Sequence, residues 1–260
     1  VAVTGVGRAE ELVVPGSGNP EYMLGRLAQE FNRRQGEYQV TLPASTGTAG
    51  AVRDVGSGAA SLGRVGRPLT DQELRGGLRF VPLGRDSVVF VGGAAVTLGG
   101  ISSAQAVAAY QGLVTDWGEL GGGGGPIRAI GREPTDASRR AIMRHIGAFE
   151  KIVFGDQVKL VHLDPEMVEL LDRFPTSLGF LNRSALFACK TRVVLLSLDG
   201  VESTPENMNA GRYPLFLELG LIYKGSHMTP AAQAFVTFIQ SPSGAALLRA
   251  YGVIPSFGGL

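Results

Sequence analysis

The sequence predicts an α/β fold from three observations. Short runs of strand character alternate along the chain with stretches whose apolar residues recur at helical spacing. One run, Ser87-Val88-Val89-Phe90-Val91-Gly92-Gly93, is almost continuously apolar, as expected of a strand covered on both faces. Three times, a strand empties into a loop rich in glycine, hydroxyl or arginine and passes straight into a helix start. Without any internal repeat, this order implies mainly parallel sheets, whose ligands bind beyond the carboxyl ends of the strands.

Composition narrows the function. A chain of 260 residues that is 44% apolar and 18% charged builds a sizeable core in one large domain or two medium ones. A net charge of +1 excludes bulk nucleic-acid binding and a polybasic membrane face, so an anion would have to be held by local groups. Cys189 is the single cysteine, which excludes an intrachain disulfide and a zinc-type cysteine cluster. His145, His162 and His227 form no ligand-spaced pair and read as structural; no metal or cofactor is expected. No stretch approaches the ~20 apolar residues of a membrane span. The numbering begins at Val1 without a signal-peptide pattern, as in a processed secreted chain or an expression product.

In chain order, Glu11-Leu12-Val13-Val14 reads as a strand and Pro15-Gly16-Ser17-Gly18-Asn19-Pro20 as a loop. Tyr22, Leu24, Leu27, Ala28 and Phe31 mark a helix over 21–33, with Asn19 as N-cap and Pro20 in the first turn. Tyr38 to Leu42 is a strand. It runs into Ala44-Ser45-Thr46-Gly47-Thr48-Ala49-Gly50, before a helix through Ala51 and Val55. Three hydroxyls and two glycines at a helix start have two uses. Capping the unpaired N–H groups is the commoner one. Holding an anion against those same groups is the other.

Arg64-Val65-Gly66-Arg67-Pro68-Leu69 closes a short Gly/Ala-rich buried strand with two arginines. Their forks suit an anion, although most arginines lie on solvated faces. Thr70 to Leu74 is a capped turn or short helix. Leu78–Leu83 and Ser87–Gly93 read as two strands parted by a turn at Gly84-Arg85-Asp86. Ser102-Ser103-Ala104-Gln105 opens a helix, and Gly121–Gly125 reads as a flexible surface loop. A strand over Pro126–Ile130 gives the third junction, Gly131-Arg132-Glu133-Pro134-Thr135-Asp136-Ala137-Ser138, ahead of a helix through Ile142 and Ile146. Beyond it follow a helix over Val168–Phe174, strands at 178–181, 193–198 and 216–223, a short helical turn from Thr204, and helices from Thr229 and Ser241.

With these segments in order, the chain resembles the phosphate-binding substrate-capture proteins of ABC transporters, which have the type II periplasmic binding protein fold. The likeness rests on Gly16-Ser17-Gly18, Ser45-Thr46-Gly47-Thr48-Ala49-Gly50, Arg64 to Leu69, Pro82 to Val91, Val114-Thr115-Asp116-Trp117, Gly131-Arg132-Glu133, Leu178-Gly179-Phe180, Asp199-Gly200-Val201 and Tyr213-Pro214-Leu215. It implies two α/β lobes joined by two crossovers, with residues 1–87 plus 213–260 in lobe one and 88–212 in lobe two. It implies an oxyanion, phosphate first, in a cleft closed by hinge motion. Delivery to an ABC permease, a monomeric state and a periplasmic or lipoprotein location follow from the same likeness. Carried over by position, the site would use Ser17, Gly18, Asn19, Ser45, Thr46, Gly47, Thr48, Arg132 and Ser138, with Ala137 beside it.

The pattern departs from the family in two places. The acid expected near Arg64 and Arg67 is missing, and Asp136 stands in the second-lobe loop. Arg67 is the arginine expected to face the ligand, with Arg64 as a brace. Asp136 has two readings: it accepts the proton of a protonated phosphate oxygen, which would penalise sulfate, or it caps a helix and pairs with Arg132, Arg139 or Arg67. An anion sensor of the same fold, or a binder of sulfate, molybdate or tungstate, is the alternative function. A phosphoester hydrolase acting through Ser45 or Thr46 has no base placed by motif.

Overall fold

The computed structural model describes residues 9–257. The outermost residues of the expected first lobe, 1–8 and 258–260, lie outside the described residues. The chain forms two compact units. One takes the chain up to Gly84, Leu219–Ala250 and the residues from Pro255; the other takes Arg85–Glu218 and Tyr251–Ile254.

The first unit opens with β1 (Glu10–Val13), α1 (Glu21–Arg34) and β2 (Tyr38–Thr41). β1 and β2 pair in parallel, Leu12 opposite Val40. α1 buries Met23, Leu24, Leu27, Ala28 and Phe31, the one-sided stripe of an amphipathic helix. α2 (Gly47–Gly56), β3 (Gly63–Val65) and α3 (Asp71–Arg75) follow. α2 starts well before the expected apolar positions, and packs Ala51 and Val55 on Val65, Leu78 and Ile222. α3 buries no residue and depends on a capping box: Glu73 N donates to Thr70 Oγ1 at 3.3 Å and Thr70 N to Glu73 Oε2 at 2.7 Å. Thr70→Ala is therefore expected to cost about 1 kcal/mol, the usual value of an N-cap, read as a lower urea midpoint. An unchanged midpoint contradicts this.

β4 (Leu78–Gly92) corrects the expected turn at Gly84-Arg85-Asp86, because the strand runs through it without a break. The turn-like composition is overridden by distant partners: Asn182 Nδ2 donates to Asp86 Oδ2 at 2.8 Å and Ser184 N to Asp86 Oδ1 at 3.2 Å. Burial pushes the Asp86 carboxyl up to about 6.

The second unit continues with β5 (Gly100–Ile101), α4 (Ser103–Gln111), β6 (Arg128–Arg132), α5 (Ala137–His145), α6 (Gly147–Glu150), β7 (Lys159–Val161), α7 (Asp164–Arg173), β8 (Ser177–Asn182), β9 (Val194–Leu198) and α8 (Pro205–Asn209). β10 (Phe216–Lys224), α9 (Pro230–Ile239), α10 (Pro242–Ala250) and β11 (Ile254–Pro255) end the described chain. β6 pairs in parallel with β7 and β8, and β5 with β9. β4 pairs antiparallel with β8 and β9, and β10 antiparallel with β3. The sheets are thus mixed rather than mainly parallel, and the long strands β4 and β10, which pass between units, supply the antiparallel pairs.

Phe90, Tyr110, Phe149, Phe154 and Phe180 form an aromatic cluster in the second unit, with Tyr110 and Phe149 centroids 5.4 Å apart in edge-on contact. It fixes α4 and α6 against β4 and β8. The glycine tract is tied back rather than loose: Gly125 N donates to Asp116 Oδ2 at 3.1 Å and Gly123 N to Thr97 Oγ1 at 2.9 Å. Among the described residues, no helix is long and apolar enough to cross a membrane.

Candidate functional site

Three loops converge in the first unit: β1 to α1, β2 to α2, and the loop after β3. Gly16 is their pivot. Its φ of +134° is one that side-chain-bearing residues rarely adopt, and a Cβ there would lie 2.1 Å from the Arg64 carbonyl oxygen. The Gly16 carbonyl accepts from Thr46 N at 3.0 Å and from Ser45 Oγ at 3.2 Å. Ser17 N donates to the Arg64 carbonyl at 2.9 Å, and Gly66 N donates to Thr48 Oγ1 at 3.2 Å. Gly18 is close enough to Ser45 that a Cβ would lie 3.3 Å from its Oγ.

The expected residues Ser17, Gly18, Ser45, Thr46, Gly47 and Thr48 therefore lie in one cluster of loops. Asn19 stands beside them, accepting from Ser17 Oγ at 3.1 Å. It is not the N-cap of α1: Pro20 holds that position, and no side chain caps the helix. Thr46 holds the N-cap position of α2, again without a side-chain cap, while Ser45 Oγ takes the N–H of Gly47 at 3.3 Å. Two helix N-termini thus open on the same loops.

The two arginines after the second loop are both engaged. Arg64 is fully buried; Nε donates to the Ser17 carbonyl at 2.8 Å, Nη2 to the Pro43 carbonyl at 2.7 Å, and Nη1 to the Val14 carbonyl. Burial works against its charge, and Glu21 at 3.5 Å opposes that. Arg67 grips Glu73 with both ends of its fork, at 2.9 and 2.8 Å, so the acid absent from the loop itself comes from α3. That pairing holds the Glu73 carboxyl down at about 2.

In the second unit, Arg132 ends β6 and Asp136 caps α5, accepting from Arg139 N at 2.9 Å. Arg132 Nη2 lies 2.9 Å from Asp136 Oδ2 and 2.9 Å from the His162 carbonyl, and Nη1 binds Asp164. Asp136 thus caps and pairs at once. Burial raises its carboxyl to about 6 although Arg132 pulls the other way. Burial also disfavours the Arg132 charge, but Asp164 and Asp136 outweigh it and raise the guanidinium above its ordinary value. Arg139 stacks 4.1 Å over Phe154 and donates to the Arg132 carbonyl at 2.6 Å, so the aromatic cluster holds the end of β6. Ala137 and Ser138 are the first residues of α5, and Ser138 is buried.

Sequence reasoning missed Asp164, the buried second carboxylate on Arg132. Its signal was present: Asp164-Pro165-Glu166 is a helix opening, with proline in the first turn and acids beside it. Gly16 as pivot and Glu73 as the partner of Arg67 were missed too. Among the described residues, no group of His, Cys, Asp or Glu could hold a metal ion.

The fold is shared with solved structures over nearly the whole chain. A Clostridium perfringens protein, crystallised with bound phosphate and described as a phosphate ABC transporter substrate-binding protein, superposes with a TM-score of 0.81 at 21% identity, covering 95% of this chain and 99% of that one. An ABC-type phosphate transport receptor from Vibrio cholerae superposes with a TM-score of 0.68 at 20% identity, covering 94% and 99%. The phosphate-binding protein PstS of Borreliella burgdorferi is 19% identical over 247 residues, 93% of this chain and 88% of its own length. At such identities these likenesses establish the fold. The family model for the PBP superfamily domain matches residues 2–243, and the chain belongs to that superfamily.

Proposed function

We propose that the chain captures an inorganic oxyanion, phosphate in the first place, without chemistry, and delivers it to an ABC-type permease from outside the cytoplasm as a monomer. One observation carries the reading. The starts of α1 and α2 meet on loops that share the Gly16 pivot, and neither begins on a side-chain cap, as is also true of α6 and α7. The positive ends of two helices, with the hydroxyls of Ser17, Ser45, Thr46 and Thr48 beside them, are what an oxyanion complements. The names of the Clostridium, Vibrio and Borreliella proteins, all tied to phosphate, support the same reading.

In the second unit Arg132, Ala137 and Ser138 are the proposed contributors. Their cluster has two cations, Arg132 and Arg139, and two carboxylates, Asp136 and Asp164, so it adds donors rather than net charge. Asp136 is proposed to accept a ligand proton as well as its cap and pairing contacts, since a carboxylate has further lone pairs to offer. Hydrolysis is disfavoured by the hydroxyls' own contacts: Ser45 Oγ donates to a backbone carbonyl and Ser17 Oγ to an amide oxygen, neither of which is a general base.

Calorimetric titration of anion-free protein with phosphate, sulfate, molybdate and tungstate tests the reading. One phosphate per chain is expected near neutral pH. Sulfate should bind about tenfold to a hundredfold more weakly, the cost of ~1–3 kcal/mol for an acceptor left facing an unprotonated oxygen. Heat with another oxyanion and none with phosphate overturns the specificity; no heat with any of them overturns the reading.

A further inference from the structure

We infer that Arg64 is a positioning residue for anion capture: its buried guanidinium turns loop carbonyls away from the ligand and so sets the backbone N–H groups of the first-unit junctions toward it. The inference rests on the reading that those junctions hold the anion, and goes beyond it in assigning Arg64 a role without ligand contact. An arginine with no exposed surface is rare unless its donors are satisfied. Here each of the three guanidinium nitrogens meets a backbone carbonyl, those of Val14, Ser17 and Pro43. The first two flank the Gly16 pivot, and the third precedes Ser45.

The main chain of the same residue completes the grip. Arg64 N donates to the Pro15 carbonyl at 2.8 Å, and its own carbonyl accepts from Ser17 N at 2.9 Å. A carbonyl oxygen facing an oxyanion repels it. A carbonyl locked on a guanidinium cannot turn that way, and its peptide plane is fixed with it. No other side chain can do this as well: lysine brings a single ammonium with no planar fork, and methionine only fills the volume. The buried charge has Glu21, in the first turn of α1, at 3.5 Å as its counter-charge.

The test uses Arg64→Lys and Arg64→Met in the full chain, with hydrogen exchange measured without ligand and phosphate binding measured by calorimetry. In both variants the amides of 16–19 and 44–48 should exchange about tenfold faster or more, while those of α9, α10 and the second unit stay at wild-type rates. Phosphate affinity of Arg64→Lys should fall at least about tenfold, as expected for lost hydrogen bonds to a charged group. A merely structural role would speed exchange throughout the first unit and leave the affinity of the folded fraction unchanged, which overturns the inference. If a variant does not fold, the phosphate-bound crystal structure of the wild type decides. Arg64 still on its three carbonyls, with no phosphate oxygen in hydrogen-bond range, supports the inference; a phosphate oxygen on Arg64 overturns it. If the wild type binds no oxyanion, the functional reading fails and exchange in the loops alone decides whether Arg64 orders them.

Discussion

Arg132→Ala is expected to destabilise the fold by about 3–5 kcal/mol at neutral pH, the cost of leaving buried carboxylates without their cation. Asp136 and Asp164 are both buried and both lie on this guanidinium. In the native chain burial already raises the Asp136 carboxyl to about 6, with Arg132 pulling it down. Without Arg132 that pull is gone, and the folded value rises further above its unfolded one. Between the two values the native state holds more protons than the unfolded state, so stability grows as pH falls through that window and is lost as pH rises through the folded value. Urea unfolding of the variant should therefore show part of the loss recovered at pH 5.5 relative to pH 7.5. Adding Asp164→Asn should restore part of it at both. Equal destabilisation at both pH values, or a loss below about 1 kcal/mol, contradicts the network described here. Phosphate binding should be lost in the same variant.

Gly16→Ala should lose about 3 kcal/mol or more and abolish anion binding. Its φ of +134° is strained for any residue with a Cβ, and the added carbon would meet the Arg64 carbonyl oxygen at 2.1 Å, a backbone atom that cannot swing aside. Relief requires the loop to leave Arg64, which breaks the bonds from Thr46 N and Ser45 Oγ to the Gly16 carbonyl. Thermal unfolding and calorimetry read the two effects. A stable variant that binds phosphate normally would show that the first-unit loops do not form the site.

How much of this was legible in the sequence differs from element to element. Ser45-Thr46-Gly47-Thr48 stood out as hydroxyls and glycines where a strand passes into a helix, and the structure bonds Ser45 and Thr46 to the Gly16 carbonyl and Thr48 to Gly66. The start of α2 was read late because its first turn holds Gly47 and Gly50, and the apolar stripe begins only at Ala51. The unbroken course of β4 was hidden because Gly-Arg-Asp is turn chemistry locally, while Asn182 and Ser184, which keep Asp86 extended, are nearly a hundred residues away. Arg64 was visibly odd in a Gly/Ala-rich strand, yet its partners are carbonyls, which no side-chain pattern announces. Arg67 drew notice as the arginine expected to face the ligand. Glu73, six positions on, carried the cue to its pairing through the Thr70 capping box. Asp164 was passed over because the helical stripe was counted from its apolar residues rather than from its Asp-Pro opening.

Equilibrium dialysis of labelled phosphate against anion-free wild-type protein tests the central claim most directly. One phosphate retained per chain at neutral pH, displaced by unlabelled phosphate and far less by sulfate, is the predicted result. No retention even at millimolar phosphate would contradict it.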